Sequence, residues 1–278
     1  MASLDNFTTS AGSGAGVPDC AVFAEEFSGR TRLAVLGASA LVGLAAGMAM
    51  TGAADRIGTI WTLLGVSAVA GGVLSTWSPC GYSSISLLRP TGRGARAVIG
   101  WLPTFAAHGA GYALGALILG SLLGGIGAIA GFAGFGPAAL VALALVGLIY
   151  GAHQLDFLSV PYPQRRAQVP HDARARFSKP VVGGIYGLAL GLDYMTYVQT
   201  PLLYLITLAA ILTGNIPEAI ALIALFNLGR FVPMVVNALP VTDYAIQGWL
   251  ARNQERAALA DGAILVALGA ALAALALA

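Results

Sequence analysis

Seven apolar runs, each long enough to cross a bilayer, limit the folds that this sequence can adopt. About 20 consecutive apolar residues span the hydrocarbon core as a helix, and 58% of the 278 residues are hydrophobic while only 9% are charged. A soluble domain carries about 25% charged residues, so this chain cannot cover a soluble surface. The sequence therefore predicts an all-α, polytopic membrane helix bundle of about seven transmembrane helices. The predicted spans are 32–53, 59–88, 97–122, 137–157, 181–212, 217–238 and 258–278.

Basic residues are distributed unevenly among the polar segments between these spans. With seven crossings, the N-terminal tail and the second, fourth and sixth loops lie on the same side of the membrane. Of the 14 basic residues, all except Arg56 and Arg230 fall in these segments. Cytoplasmic loops are enriched in Lys and Arg. We therefore expect a protein of the bacterial inner (cytoplasmic) membrane, with its N-terminus in the cytoplasm and its C-terminus in the periplasm.

Two of the spans are interrupted by proline. Residues 59–88 and 181–212 are both longer than a bilayer requires, and Pro79 in "STWSPCGYSSIS" and Pro201 in "DYMTYVQTPLLY" break their helical patterns. Proline removes a backbone donor and clashes with the preceding turn. Paired broken helices in oppositely oriented repeats point to a central site, whereas two ordinary kinks are the alternative.

An odd number of helices in each half gives the two halves opposite orientations in the membrane. The six later spans divide into two units of three, so the sequence predicts a three-plus-three inverted repeat preceded by an extra helix. The predicted organisation is a cytoplasmic polar tail 1–31, an extra transmembrane helix 32–53, a first repeat 59–157, a basic cytoplasmic loop 158–180 and a second repeat 181–278.

Glycines spaced four residues apart recur on three of the spans. This spacing places small residues on one helix face, where a neighbouring helix can approach closely. Glycine richness without a packing role is the alternative for any single pair. The series are Gly43/Gly47, Gly111/Gly115 and Gly183/Gly187/Gly191.

Four polar or ionisable side chains fall in one layer near the middle of the membrane. At ~1.5 Å per residue, Cys80, His108, Asp193 and Arg230 lie at similar depths in their spans. Ionisable residues in a membrane usually face the bundle interior and pair with one another. We therefore predict an Asp193–Arg230 ion pair, which is either a structural lock or a functional relay. His108 is either a hydrogen-bonded packing residue or a redox or proton carrier.

The two cysteines, Cys20 and Cys80, allow one disulfide at most. No CxxC pair and no Cys/His spacing typical of zinc occurs, so we predict no metal site and no cofactor, and nucleic acid is not an expected partner. A buried free cysteine often packs as a small hydrophobe. A reactive thiol needs an accessible, polarised setting, and the position of Cys80 beside Pro79 at a helix break favours that interpretation.

Four segments resemble the CcdA/DsbD transmembrane family: "GGVLSTWSPCGYSSISLLRP", "TFAAHGAGYALGALILGSLLG", "GLALGLDYMTYVQTPLLYLITLAAIL" and "FNLGRFVPMVV". The resemblance implies a bundle that relays electrons from cytoplasmic thioredoxin to thioredoxin-like proteins outside. That family carries a second cysteine where this chain has Tyr197. A dithiol relay makes and breaks an intramembrane disulfide, so Cys20 is the only partner for Cys80 within this chain.

The whole chain also resembles a narrower family of methylamine utilisation membrane proteins. That resemblance implies a protein required for maturation of periplasmic methylamine dehydrogenase, with the enzyme's small subunit as client and with MauE and a MauD-type thioredoxin-like protein as partners. The chain would act as a scaffold, or as a single-thiol redox partner through Cys80, with Cys20 as its candidate partner, and not as a stand-alone enzyme. A membrane permease for a metal ion or small solute is the alternative, because broken helices around a polar layer also describe transporters.

Overall fold

The computed structural model describes residues 27–52, 55–92, 94–161, 163 and 172–278, and every element within them is helical. Cys20 and most of the basic loop lie outside the described residues. The helices are α1 (Gly29–Met50), α2 (Arg56–Leu74), α3 (Pro79–Leu87), α4 (Ala95–Ile129), α5 (Pro137–Gln154), α6 (Ala173–Arg176), α7 (Lys179–Gly191), α8 (Leu202–Leu212), α9 (Ile216–Phe231), α10 (Asp243–Arg252) and α11 (Gln254–Leu277). Two 3-10 helices, Ser75–Trp77 and Val232–Ala238, extend α2 and α9.

Six of these helical segments are long and apolar enough to cross a membrane: α1, α2 with its extension, α4, α5, α9 with its extension, and α11. The expected all-α membrane bundle is therefore confirmed. Residues 179–212 form two shorter helices, α7 and α8. Lys179 contacts Thr91 at one end of the bundle, and the Leu212 carbonyl accepts from the amide of Gly134 beyond the far end of α4.

The first broken span is divided just before its proline. Residues 75–78 leave the α-helix, and Ser78 is extended (ψ 150°) with its hydroxyl oxygen accepting from the Gly81 amide. Pro79 then occupies the first turn of α3, where its missing N–H and fixed φ cost nothing. Pro79 therefore begins a new helix and does not kink a continuous one.

Helix α4 is longer than the predicted span 97–122, because the glycine-rich segment that follows continues the helix to Ile129. Glycine has low intrinsic helix propensity, but tertiary packing can override it. A side chain at Gly124 would lie 2.7 Å from Ile216 Cα, and one at Gly127 would collide with the Ile211 carbonyl. Close packing against the ends of α8 and α9 therefore maintains this part of α4.

The predicted glycine faces form the contact between α4 and α7. A side chain at Gly115 would lie 2.7 Å from Gly191 Cα, and one at Gly183 would lie 2.7 Å from the Thr104 carbonyl oxygen. On the other side of the bundle, Gly47 lies against Ala271 of α11. The glycine series thus mark helix contacts, as the sequence predicted.

Ion pairs and hydrogen bonds fix which helix ends lie together. Arg32 at the start of α1 pairs with Asp156 after α5 and with Glu255 at the start of α11. At the opposite end, Arg56 at the start of α2 donates to the carbonyl of Leu275. Neighbouring helices therefore alternate in direction through the bundle.

Helix α10 lies within residues 240–256, a polar segment for which the sequence predicted no helix. Ile246 and Leu250 are buried, whereas Tyr244 and Trp249 are exposed. The indole nitrogen of Trp77 donates to the Leu250 carbonyl at 3.0 Å. This short helix therefore covers the first break, and it was missed because only two of its positions form an apolar face.

Candidate functional site

The two broken spans have their breaks next to each other inside the bundle. Residues 75–78 separate α2 from α3, and residues 192–201 separate α7 from α8. Ser78, Thr196 and Thr200 of these breaks are buried. Backbone that leaves a helix in a membrane must be buried in protein or line a water-filled cavity, and here protein covers most of both segments, although Met195 of the second is exposed.

The predicted ion pair joins the second break to α9. Arg230 Nη1 lies 2.6 Å from Asp193 Oδ1 and also donates to the carbonyl oxygen of Leu190 at 2.6 Å. The side chains of Arg230 and Asp193 are 1% and 0% exposed. The sequence prediction of this pair is confirmed.

The surroundings of the pair show what it does structurally. Helix α7 ends at Gly191, and Asp193 follows in the left-handed conformation (φ 51°). The side-chain nitrogen Nδ2 of Asn227, one turn before Arg230, donates to the Gly191 carbonyl oxygen at 2.9 Å. Carbonyl groups at a helix C-terminus need donors, and positive charge is favourable there. Two side chains of α9 therefore cap α7, which is the structural-lock interpretation of the pair.

His108 lies beside this cap on α4. Its Nδ1 is 3.0 Å from the Gly183 carbonyl oxygen, and its ring centroid is 5.0 Å from that of Tyr112 and 6.1 Å from that of Phe231. The side chain is buried, within electrostatic range of Arg230. These contacts are those of a hydrogen-bonded packing residue between α4 and α7.

Cys80 lies in the first turn of α3 and is 0% exposed. It belongs to the same apolar cluster as Tyr112 and Met234, against which Tyr197 of the second break also packs. Arg230 interacts electrostatically with Cys80. The structure thus brings Cys80, Tyr197 and the predicted polar residues into one region, and it encloses the thiol there.

A second polar centre lies on the α5/α11 side of the breaks, and sequence reasoning missed it. The hydroxyl of Thr200 donates to Asp261 Oδ1 at 2.5 Å, and both residues are buried. With Gln199 they line a small chamber. The signal was available, because Asp261 is the only charged residue in the predicted span 258–278.

Among the residues that the structure describes, no group of three or more His, Cys, Asp and Glu side chains could hold a metal ion. The arrangement can cap helices, bury a thiol and hold one carboxylate beside a helix break.

Comparison with known proteins shows close relatives along the full length of the chain. The methylamine utilization protein MauF of Paracoccus denitrificans is 68% identical over 277 residues, covering 100% of both chains. The MauF proteins of Paracoccus versutus, 69% identical over 279 residues and 100% of both chains, and Methylorubrum extorquens, 57% identical over 92% of this chain and 90% of the relative, are also similar. No protein-family model and no solved structure matches the chain.

Proposed function

The chain belongs to the MauF family of methylamine utilization proteins, and on that premise we propose that it is required for maturation of periplasmic methylamine dehydrogenase. Its client is the small subunit of the enzyme, and its partners are the membrane protein MauE and a MauD-type thioredoxin-like protein. Similarity along the full chain supports the assignment to the methylamine system. The geometry around Cys80 helps to choose between two mechanisms, a membrane scaffold and a single-thiol redox partner.

The mechanism that the site favours is that of a membrane scaffold. The observation that carries it is the complete burial of Cys80, which is 0% exposed in an apolar cluster. Thiol exchange requires a sulfur that a partner can reach. Arg230 interacts electrostatically with Cys80, but burial prevents such access, whereas a scaffold requires only a rigid interior. The charge-paired cap of α7 supplies such rigidity, because the Asp193–Arg230 pair and Asn227 fix the second break to α9.

Replacement of Cys80 tests this choice. A strain lacking the chain is complemented with the wild type, Cys80→Ser or Cys80→Ala, and active methylamine dehydrogenase in the periplasm is measured alongside the amount of the chain in the membrane. A scaffold matures the enzyme normally with either variant. Loss of active enzyme with normal amounts of both variants in the membrane would establish the single-thiol mechanism, and Cys20→Ser would then show whether Cys20 is the partner.

The fold that we propose for this function is a seven-span inverted repeat related to the CcdA/DsbD family. Two features support it. Both lead helices, α2/α3 and α7/α8, are broken in their interiors. In addition, the first-repeat lead helix α2 packs on α9 of the second repeat, while the second-repeat lead helix α7 packs on α4 of the first. This reciprocal exchange is what a two-fold axis in the membrane plane produces, and residues 179–212 then serve as the seventh span.

A permease is the second candidate, and the chamber at Asp261 is the observation that favours it. A buried carboxylate next to a broken helix is a common feature of substrate and ion pathways. Deletion of the chain separates the two functions. If the chain is a maturation protein, the deletion strain lacks active dehydrogenase whatever solutes are supplied. If it is a permease, the deletion strain shows altered uptake of a solute or altered sensitivity to it. Active dehydrogenase then forms when that solute is abundant.

A further inference from the structure

A cationic cleft of about 420 Å³ opens at the basic end of the bundle, between the first turns of α4 and α7 and the segment that joins α3 to α4. Arg89, Arg96 and Lys179 line it, and none of its lining residues is acidic. The amine of Lys179 donates to Thr91 Oγ1 at 2.8 Å across the cleft. Buried Trp101 also lines the cleft and donates to the Leu88 carbonyl at 2.6 Å.

The charges in the cleft are only partly neutralised by the protein. Arg89 is held by Asp243 at 3.7 Å and by the Val241 carbonyl. Among the described residues, neither Arg96 nor Lys179 has a carboxylate within ion-pair distance. The cleft therefore has two cationic side chains available for an anion.

Two helix N-termini add to this positive potential. Helices α4 and α7 both begin at the cleft, and neither has a side-chain N-cap: the preceding Gly94 and Ser178 make no capping hydrogen bond. Uncapped amide groups and the helix dipole favour a phosphate at such a position. The cleft combines these ends with the Arg96 and Lys179 side chains, which together suit a phosphate group.

The surface just below the cationic rim is apolar and exposed. Ile99 lies one turn from Arg96 on α4 and is 66% exposed, and the apolar residues Pro103 and Pro180 line the cleft itself. A free phosphate makes no use of such a surface, whereas the acyl chains of a phospholipid cover it. Basic clefts between membrane helices on the cytoplasmic side bind anionic lipid head groups.

We propose that the cleft between α4 and α7 binds the phosphate of an anionic phospholipid, with Arg96 and Lys179 on the head group and the acyl chains along Ile99 and Pro103. The bound lipid would fix the starts of two helices that pack together through their glycine faces. The cleft is distinct from the polar residues near Cys80, because Arg96 and Lys179 are exposed whereas Asp193 and Arg230 are buried.

The test uses the full chain purified in detergent, with phosphatidylglycerol, phosphatidylcholine or inorganic phosphate added at equal phosphate concentration. Retained lipid is counted by native mass spectrometry and thermal unfolding is followed. The double variant R96Q/K179Q removes the two available cations, and R30Q/R252Q removes two exposed cations of other helices as the matched control. We expect phosphatidylglycerol to bind preferentially, and R96Q/K179Q to weaken it about 10- to 30-fold with the control unchanged.

Each other result overturns the proposal in a defined way. Equal binding of phosphatidylcholine, or equal loss in R30Q/R252Q, means that attraction is diffuse and the cleft is not a site. Stabilisation by inorganic phosphate that matches that of phosphatidylglycerol and is lost in R96Q/K179Q means a free-phosphate site and no lipid site. If the double variant does not accumulate, R96Q alone replaces it, since the Arg96 side chain is exposed and makes no ion pair with another described residue.

Discussion

The Arg230 side chain joins α9 to the end of α7 and to the second break. Its guanidinium binds the Asp193 carboxylate and the Leu190 carbonyl, and it lies in electrostatic contact with Tyr112 and Cys80. A buried charge pair is costly to form because both ions lose water, and it is still more costly to break because one ion is then left alone. The stability of the second break therefore depends on both partners being present.

Removal of one partner tests this dependence. We expect Arg230→Met to lower the free energy of unfolding by about 3–5 kcal/mol, because Asp193 is then buried without its cation. Asp193→Asn is the matched change on the other side, since Asn tolerates the left-handed backbone of this position. The double variant D193N/R230M should be more stable than R230M. Unfolding in detergent measures all three, and an R230M protein as stable as the wild type would contradict the role given to this pair.

Asp261 differs from Asp193, because no cation among the described residues pairs with it. Asp261→Asn keeps an acceptor for the Thr200 hydroxyl and removes a charge that is costly to bury, so we expect unchanged or higher thermal stability. Asp261→Leu leaves Thr200 without its acceptor and should cost about 1–3 kcal/mol. If D261N loses as much stability as D261L, the fold requires the charge itself and this account is wrong.

The interior residues differ in how far the sequence could predict them. Depth along each span was enough to predict the Asp193–Arg230 pair, because both residues are rare charges near mid-membrane. It could not predict that Asn227 and Arg230 cap α7, since the end of α7 at Gly191 is set by tertiary contacts. The Thr200–Asp261 bond depends on the path of an irregular segment, which no periodicity describes.

Helices α4 and α7 pack closely together, and glycine makes their approach possible. Side chains at Gly187 and Gly111 would meet backbone atoms of the opposite helix: a methyl group at Gly187 would lie 2.9 Å from the His108 carbonyl carbon. Gly184, in the same helix, has nothing closer than the Ala107 oxygen at 3.7 Å. Neighbouring glycines of one helix thus have different roles.

This difference gives a prediction with an internal control. Gly187→Ala should separate α4 from α7 and lower stability in detergent by several degrees, since a methyl group there collides with backbone that cannot rotate away. Gly184→Ala should be neutral or slightly stabilising, because alanine is the better helix former by about 1 kcal/mol. Equal effects of the two substitutions would contradict the glycine contact.

The sequence predicted most helices but not their divisions. Apolar length placed α1, α5 and α11 to within a few residues. It did not predict that Pro79 would begin α3, because a proline within an apolar run reads equally as a kink or as a first turn. Helix α10 escaped prediction because its apolar face is small and its position depends on Trp77 of the first break.

For the whole molecule, we propose one orientation in the membrane, with the end that carries most of the basic residues in the cytoplasm. The contacts of Arg32, Arg89 and Lys179 lie at the same end of the bundle. Anionic lipids and the positive-inside rule favour that end in the cytoplasm. The cationic cleft would then face the inner leaflet.

Reporter fusions test the orientation. Alkaline phosphatase, which is active only in the periplasm, should be active when fused after Ala278 and inactive when fused after Leu239, which follows the 3-10 extension of α9. Fusion of green fluorescent protein, which folds in the cytoplasm, should give the opposite pattern at the same two positions. Phosphatase activity at Leu239 would reverse the assignment of every loop.

The packing of α1 has a consequence for biogenesis. Only Arg32, Gly43 and Gly47 of this helix are buried, and the last helix of the chain supplies its main contact surface. At 5–20 residues per second, synthesis from the end of α1 to α11 takes roughly 10–40 s. During that interval α1 has no α11 to pack against, and an insertase or a second membrane protein would have access to its glycine face until α11 has been made.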